Sequence, residues 1–405
     1  MDEIQSSKYT GIKVVTLVII FMYVSILIGS LNALDTALSA VGLISLGMLL
    51  LFTNIGNIFM LFNHKLFSVQ LIIFCITALL VFTCIFSMLR DNQLSDLVNT
   101  SQLVMCVGFC IYLSFLNLNF EKMKILYLLT VMFVLIHFFI WVVSGFPRMF
   151  SSIYPNPNLV GPYMFYSSYF LIMAVKYSKT KVFPVLFLFI AIILTVASDS
   201  RSILVSIFAT ILMYFSWKWI TKSVILRVIT FGVLILASLV FIYIYPHLPE
   251  YRFYLPLEHW MLSHTGKSIM SGRNDIWILL IDMVNQNPYF GYGMSTVSSD
   301  LINVDKSAHN LYLNTLVQIG YIGFACLVIL MFVIWMKLTS SNNDFIVRLS
   351  GAFMVGILVH ENFEITLFQN QLSIGMLQWM ILGIGLSRVL HLRNNIHKQY
   401  NRQDQ

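Results

Sequence analysis

The chain has 405 residues, of which 59% are hydrophobic and only 10% charged, with a mean hydropathy of +0.84. A soluble domain carries roughly 25% charged residues. A chain this poor in charge cannot coat a water-facing surface, which excludes a soluble fold. The formal net charge of +7 would suit either nucleic acid or anionic lipid, and its distribution decides between them.

A helix needs about 20 apolar residues to cross a bilayer. Runs of that kind predict about twelve spans, near 11–30, 37–63, 68–89, 102–118, 123–144, 158–176, 182–198, 202–219, 225–245, 308–336, 346–362 and 371–388. The expected fold class is therefore all-α and integral to the membrane. The first run, Gly11 to Gly29, is long enough to span and lacks a small-residue cleavage site, so it reads as a membrane helix rather than a cleavable leader. The second is long enough to be tilted or broken. The chain divides into a membrane bundle of about nine helices (1–245), one long loop (246–307), and C-terminal membrane helices with a short tail (308–405). Cys75, Cys84, Cys106, Cys110 and Cys326 all lie in apolar runs without histidines at zinc-like spacing, so they are expected to be structural, with no metal and no cofactor.

Orientation follows from the basic residues. With the N-terminus cytoplasmic, 17 of the 24 basic residues fall in inner segments and 12 of the 17 acidic residues in outer ones. The outer basic residues are Arg90, Arg148, Arg201, Arg252, Lys267, Arg273 and Lys306. The bias runs through nearly every short loop, so the net charge is a topology signal. Both termini are expected in the cytoplasm, with membrane lipid rather than nucleic acid as the neighbour.

The loop from about Pro246 to Ser307 is long enough for a small subdomain on the outer side. It opens with an aromatic, proline-rich stretch from Tyr245 to Trp260. Apolar positions 276, 277, 280, 281 and 284 then follow helical spacing and predict an amphipathic helix lying on the membrane surface. Asn285-Gln286-Asn287-Pro288 should end it, and Gly291-Tyr292-Gly293 permits a tight turn.

The outer arginines need a reason. Arg201 lies in Ser198-Asp199-Ser200-Arg201-Ser202, a connection so short that it sits at the membrane rim. It is either a snorkelling residue, with Asp199 beside it, or an anion-binding group. Arg273 precedes the amphipathic helix, whose first turn offers free N–H groups and a positive dipole to a phosphate. The alternative is an ordinary loop arginine paired with Asp275. His309 opens the tenth span in His-Asn-x9-Gly-x2-Gly, formed by His309, Asn310, Gly320 and Gly323. A neutral imidazole there can take a proton from a sugar hydroxyl, or it is a structural interfacial residue. The glycines read as close helix contacts. Glu361 and Glu364, near the outer end of the eleventh span, are carboxylates seeking a partner such as an arginine. Ser151 to Asn158 reads as a turn, with sugar contact the alternative, and His137 as a satisfied core residue.

An arginine in a short outer connection, SGRxxIW followed by NPxFGYG, and His-Asn-x9-Gly-x2-Gly, in that order from about Ser198 to Gly323, resemble the O-antigen ligase and polymerase superfamily of bacterial envelopes. The resemblance implies an inverting membrane glycosyltransferase that needs no metal, with a glycan on undecaprenyl diphosphate as donor, working at the outer face of the inner membrane. By position, Arg201 and Arg273 would neutralise the leaving diphosphate and His309 would deprotonate or orient the acceptor hydroxyl, as catalytic residues. Asn310, Trp277, Glu361 and Glu364 join the arginines as expected substrate contacts. A polymerase is the favoured expectation, because only 36 residues separate Arg273 from His309. A ligase acting on lipid A core is the alternative, and a flippase for lipid-linked oligosaccharide a lesser one. A chain-length regulator is a further candidate partner.

Overall fold

The computed structural model describes residues 23–24, 44, 47–48, 51–58, 68–91, 95–116, 118, 120–266, 268–270, 272–302, 307–341 and 343–403. Among these the regular structure is helical, with no strand. The ten apolar runs expected from residue 68 onward all appear as helices: α1 (Ser68–Asp91), α2 (Asp96–Phe115), α3 (Phe120–Val143), α4 (Val160–Tyr177), α5 (Val182–Ala197), α6 (Arg201–Ile220), α7 (Val224–Ile244), α11 (Leu311–Leu338), α12 (Phe345–His360) and α13 (Leu372–Gln403). Between α7 and α11 lie three more, α8 (Tyr254–Thr265), α9 (Asn274–Gln286) and the short α10 (Ser298–Ile302). Most of the expected spans at 11–30 and 37–63, and Lys267 and Lys306, lie outside the described residues. Seven described helices are long and apolar enough to cross a membrane, and the chain is a multi-pass membrane protein.

Local signals set the boundaries. Prolines sit in the first turn of α4 (Pro162), α5 (Pro184) and α8 (Pro256), where a missing N–H costs nothing. Ser223, Asn310 and Asp344 cap α7, α11 and α12 with their side-chain oxygens, a role in which Ser, Asn and Asp are favoured. The aromatic, proline-rich stretch that opens the long loop is largely helical. It forms a 3-10 turn (Tyr245–Glu250) followed by α8, none of whose residues is buried.

The centre of the bundle is made by α4, α11, α12 and α13, whose residues are buried on most sides. By contrast α3, α5, α6 and α7 turn large apolar side chains outward, among them Phe139, Phe189, Phe215 and Ile225, as a lipid-facing surface requires. Small residues bring helices together. A Cβ on Gly351 of α12 would lie 2.1 Å from the Trp217 ring of α6, and one on Gly356 would lie 2.1 Å from Thr210 Oγ1.

Hydrogen bonds gather the connections at one end of the bundle. Phe150 N–H donates to Ala197 O at 3.0 Å, and Asn99 Nδ2 to Met294 O at 2.8 Å. Arg201 reaches Ser268 O at 3.0 Å, and Arg273 reaches Phe363 O at 3.2 Å. The opposite end has its own ties, including Trp217 Nε1 to Ser341 O at 3.2 Å and the Arg388–Asp344 ion pair at 2.8 Å.

The central feature is a break in α11. Gly320 has φ 65° and ψ −170° inside the helix, a conformation open to glycine. The 288–293 segment fills the break. Tyr292 N–H donates to Val317 O (2.9 Å) and Gly293 N–H to Gln318 O (2.8 Å). In return Tyr321 N–H donates to Pro288 O (2.7 Å) and Ile322 N–H to Tyr289 O (3.3 Å). A Cβ on Gly320 would stand 2.3 Å from the Tyr289 carbonyl carbon, and one on Gly291 would stand 2.4 Å from Val317 O. Gly320 is therefore a helix break met by a loop rather than a helix–helix contact.

A second difference concerns α9. It spans the expected residues, but Ile276, Trp277, Leu280 and Val284 are buried within the protein, so its apolar face packs inward rather than on lipid. Gly320→Ala should cost about 3 kcal/mol or more, from backbone collision and a forbidden φ. Gly145→Ala, also at positive φ but with nothing within 4 Å, should cost about 1 kcal/mol. Thermal unfolding of the two variants in detergent checks the difference.

Candidate functional site

Arg201, Arg273 and His309 arise from three different elements at the same end of the bundle. Arg201 is the first residue of α6, and the turn before it is tight because Asp199 holds φ 55°. Arg273 immediately precedes α9. A positive side chain is disfavoured at a helix N-terminus, where the dipole is already positive, yet both arginines occupy that position. They are held by carbonyl oxygens, Ser268 O for Arg201 and Phe363 O for Arg273. Burial pushes the Arg273 guanidinium below its usual pKa. Glu364 acts against that shift, and Arg201 adds to it by repulsion. The two arginines are thus close enough to feel each other, and at Arg273 Glu364 outweighs that repulsion. Glu258 of α8 is close enough to Arg201 to feel its charge. The Glu258 carboxyl is held below its ordinary range, chiefly by the Ser268 hydroxyl and then by Ile269 N–H, with Arg201 contributing least.

His309 sits at φ 45°, a left-handed conformation uncommon outside glycine and concentrated at functional sites. Two neighbours impose it. Ala308 O accepts from Trp277 Nε1 at 2.8 Å, and Asn310 caps α11 by accepting from Leu313 N–H at 2.9 Å. Asn310 Nδ2 also donates to Asn362 O at 3.0 Å. Between these anchors the imidazole is partly exposed, and its Nδ1 lies 2.9 Å from Glu364 Oε2. That contact suits the tautomer with the proton on Nδ1, which leaves Nε2 as a base.

Two consecutive residues of the α12–α13 connection therefore organise the cluster. Phe363 gives its carbonyl to Arg273, Glu364 its carboxylate to His309, and Ile365 follows directly. Sequence reasoning named Glu364 and both arginines, but no pattern could reveal that the arginines bind backbone carbonyls. Arg273 turns to Phe363 O, while Asp275 accepts from Asn274 Nδ2 at 2.7 Å.

Three expected substrate contacts are corrected. Glu361 is fully buried and its carboxylate is spent on the connection itself, accepting from Thr366 N–H (2.9 Å), Leu367 N–H (3.3 Å), Gln378 Nε2 (2.9 Å) and the Thr366 hydroxyl. Asn310 is fully buried, with its side chain committed to the cap and to Asn362. Trp277 is buried against Phe241 and Tyr245, with ring centroids at 5.5 and 5.0 Å. All three position backbone rather than face a ligand. Ser151–Asn158 is a turn in which Asn156 Oδ1 accepts from Asn158 N–H at 2.9 Å. His137 is bonded on both ring nitrogens, to Ser152 at 2.6 Å and Tyr154 at 3.2 Å. Glu361→Gln would set an amide N–H against donors and should destabilise the protein by about 2–3 kcal/mol. Glu364→Gln, at a partly exposed position, should stay within about 1 kcal/mol. Thermal unfolding distinguishes these roles.

Comparison with known proteins enters at this geometry. No curated protein matches the chain. Residues 186–328 match the O-antigen ligase family, a segment that holds both arginines, His309 and the Gly320 break and stops short of the 361–371 connection. This match supports the O-antigen ligase and polymerase superfamily for the chain.

Proposed function

We propose that the protein polymerises oligosaccharide repeat units carried on undecaprenyl diphosphate, at the outer face of the bacterial inner membrane. The observation that carries this reading is the convergence of two arginines, each at a helix N-terminus, beside a histidine whose second nitrogen is paired with Glu364. A diphosphate needs fixed positive charge as it departs, and helix N-termini add N–H donors. His309 Nε2 takes the proton from an acceptor hydroxyl, and that oxygen bonds to the anomeric carbon on the face opposite the diphosphate. The carbon–oxygen bond to the diphosphate breaks, the diphosphate keeps the electron pair, and the configuration inverts. Glu364 holds the imidazole in the receptive tautomer and stabilises its charged form.

The bias of basic residues toward the other end of the bundle supports an outer location for this cluster, with both termini cytoplasmic. The short connection between α9 and α11, part of which fills the α11 break, favours a compact acceptor and hence a polymerase. The family matched by residues 186–328 is described as O-antigen ligase, which favours a second reading, transfer of the glycan to lipid A core.

Purified protein in nanodiscs, given lipid-diphosphate-linked repeat units alone, should produce a ladder of longer lipid-linked glycans. Product that forms only when lipid A core is added would identify a ligase, and absence of transfer with either acceptor would sink the glycosyltransferase reading. His309→Ala should lower turnover about 10²- to 10⁴-fold and Arg273→Ala about 10²- to 10³-fold. Orientation is checked with single cysteines in a background lacking the five native ones. A membrane-impermeant maleimide applied to intact cells should label Ser263→Cys and spare Lys222→Cys; the reverse pattern would invert the topology.

A further inference from the structure

One polar feature of the site end has no part in that scheme. A cavity of about 280 Å³ opens where α2, α10, the first half of α11 and the α12–α13 connection meet. Its walls include Asn99 from α2, Ser299 from α10, Asn314 and Gln318 from α11, and Gln369 and Asn370 from the connection. Among the described residues lining it none is charged, and only Val297 and Ile365 are apolar. Within a membrane protein this poor in polar residues, a neutral hydrogen-bonding pocket is unusual and costly to maintain.

The cavity floor is preorganised. Asn314 Nδ2 donates to Gln369 Oε1 (3.1 Å), Gln369 Nε2 to Gln318 Oε1 (2.9 Å), and Gln318 Nε2 to Thr296 O (3.0 Å). This relay fixes which amide atoms are committed and in which direction. It stands two residues ahead of the Gly320 break, so the insertion that repairs α11 also sets the floor.

The cavity is tied to the His309 backbone through Ser307, and neither arginine lines it. Ser307 lines it, and the same hydroxyl oxygen accepts from His309 N–H at 3.3 Å. Ile365 lines it directly after Glu364, whereas Arg273 is bound two residues earlier at Phe363 O. A ligand in this space meets amides and hydroxyls, and no fixed charge among the described lining residues. That chemistry suits a neutral polyol ring and repels nothing but also attracts nothing charged. The volume lies near the lower end of the roughly 300–1,000 Å³ of small-molecule sites, which fits a terminal portion of a glycan rather than a long chain.

We infer that this cavity is the acceptor subsite: it holds the terminal neutral sugar of the accepting glycan through amide and hydroxyl side chains, so that one hydroxyl faces His309. The inference rests on the transfer reading above and divides the site in two, with arginines for the donor's diphosphate and a neutral pocket for the acceptor's sugar. The acceptor hydroxyl proton passes to His309 as the glycosidic bond forms, and the diphosphate leaves on the arginine side.

The test uses full-length protein in nanodiscs and, as probe, the free repeat-unit oligosaccharide of the producing cell's envelope polymer, without lipid or diphosphate. Saturation-transfer NMR should show it bound to wild type and to Arg273→Ala. Ser299→Trp, at a partly exposed position that fills the cavity, should weaken binding about tenfold or more. Asn370→Asp adds a charge without changing side-chain shape at a left-handed residue (φ 55°), and should raise the acceptor KM about tenfold while leaving the donor KM unchanged. Absence of binding to wild type, binding undiminished in both cavity variants, or loss in Arg273→Ala alone would overturn the assignment. Binding that follows the expected pattern in a protein without transfer activity would overturn the transfer reading and keep the cavity as a glycan site.

Discussion

A membrane helix cannot be interrupted without finding new partners for the freed backbone groups, because lipid supplies none. In this protein α11 is interrupted at Gly320, and the 288–293 segment supplies those partners by exchanging four backbone hydrogen bonds with the helix. The exchange works in both directions, so neither element is complete alone. It requires glycine on both sides of the contact, Gly320 on the helix and Gly291 on the loop, since a Cβ at either would meet the other's backbone below 2.5 Å. The region between α7 and α11 is thereby fixed against the membrane bundle by main-chain geometry.

From that fixed point the functional end follows by short steps. The same segment continues to Ser295, whose N–H donates to Asp96 Oδ1 at 2.6 Å, which draws the start of α2 into the assembly. Upstream, α9 buries Trp277, and the Trp277 indole holds Ala308 O. Downstream of that carbonyl, His309 is forced into the left-handed region and Asn310 caps α11. The α12–α13 connection closes the cluster from the other side, stiffened by Glu361 from within. Buried carboxylates and amides are costly unless satisfied, and here they are spent on holding a turn. The residues left partly exposed, Arg201, Arg273, His309 and Glu364, are those whose chemistry suits the transfer of a glycan from a diphosphate.

Charge is sorted as well as placed. The two arginines sit at helix N-termini, an arrangement unfavourable for an isolated protein, and at Arg273 the attraction of Glu364 outweighs the repulsion from Arg201 while burial still weighs against the charge. An anion beside Arg273 would further stabilise its partly buried guanidinium. The cavity at the same end has no fixed charge among its described lining residues. That end of the bundle thus presents a charged cluster and a neutral polar cavity.

The sequence by itself determined the class of protein and the placement of its helices. Apolar runs of spanning length leave a chain little choice in lipid, and all ten expected from residue 68 onward form helices, most near their expected limits, with α13 running on to Gln403. It also singled out Arg201, Arg273, His309 and Glu364, because charged or titratable groups near membrane depth need a reason to be there. It did not separate Glu364 from Glu361, three residues apart on the same connection. Only the fold shows that one faces His309 while the other is enclosed by Thr366, Leu367 and Gln378. Nor did it show that Asn310 and Trp277 hold backbone, that α9 buries its apolar face in protein, or that Gly320 breaks a helix rather than packing against one. Periodicity reports which face of a helix is apolar but not what covers it, and spacing reports a glycine but not its φ. Those outcomes depend on contacts between residues far apart in the chain, such as Gly293 with Gln318 and Ser295 with Asp96, and contacts of that kind exist only once the tertiary structure has formed.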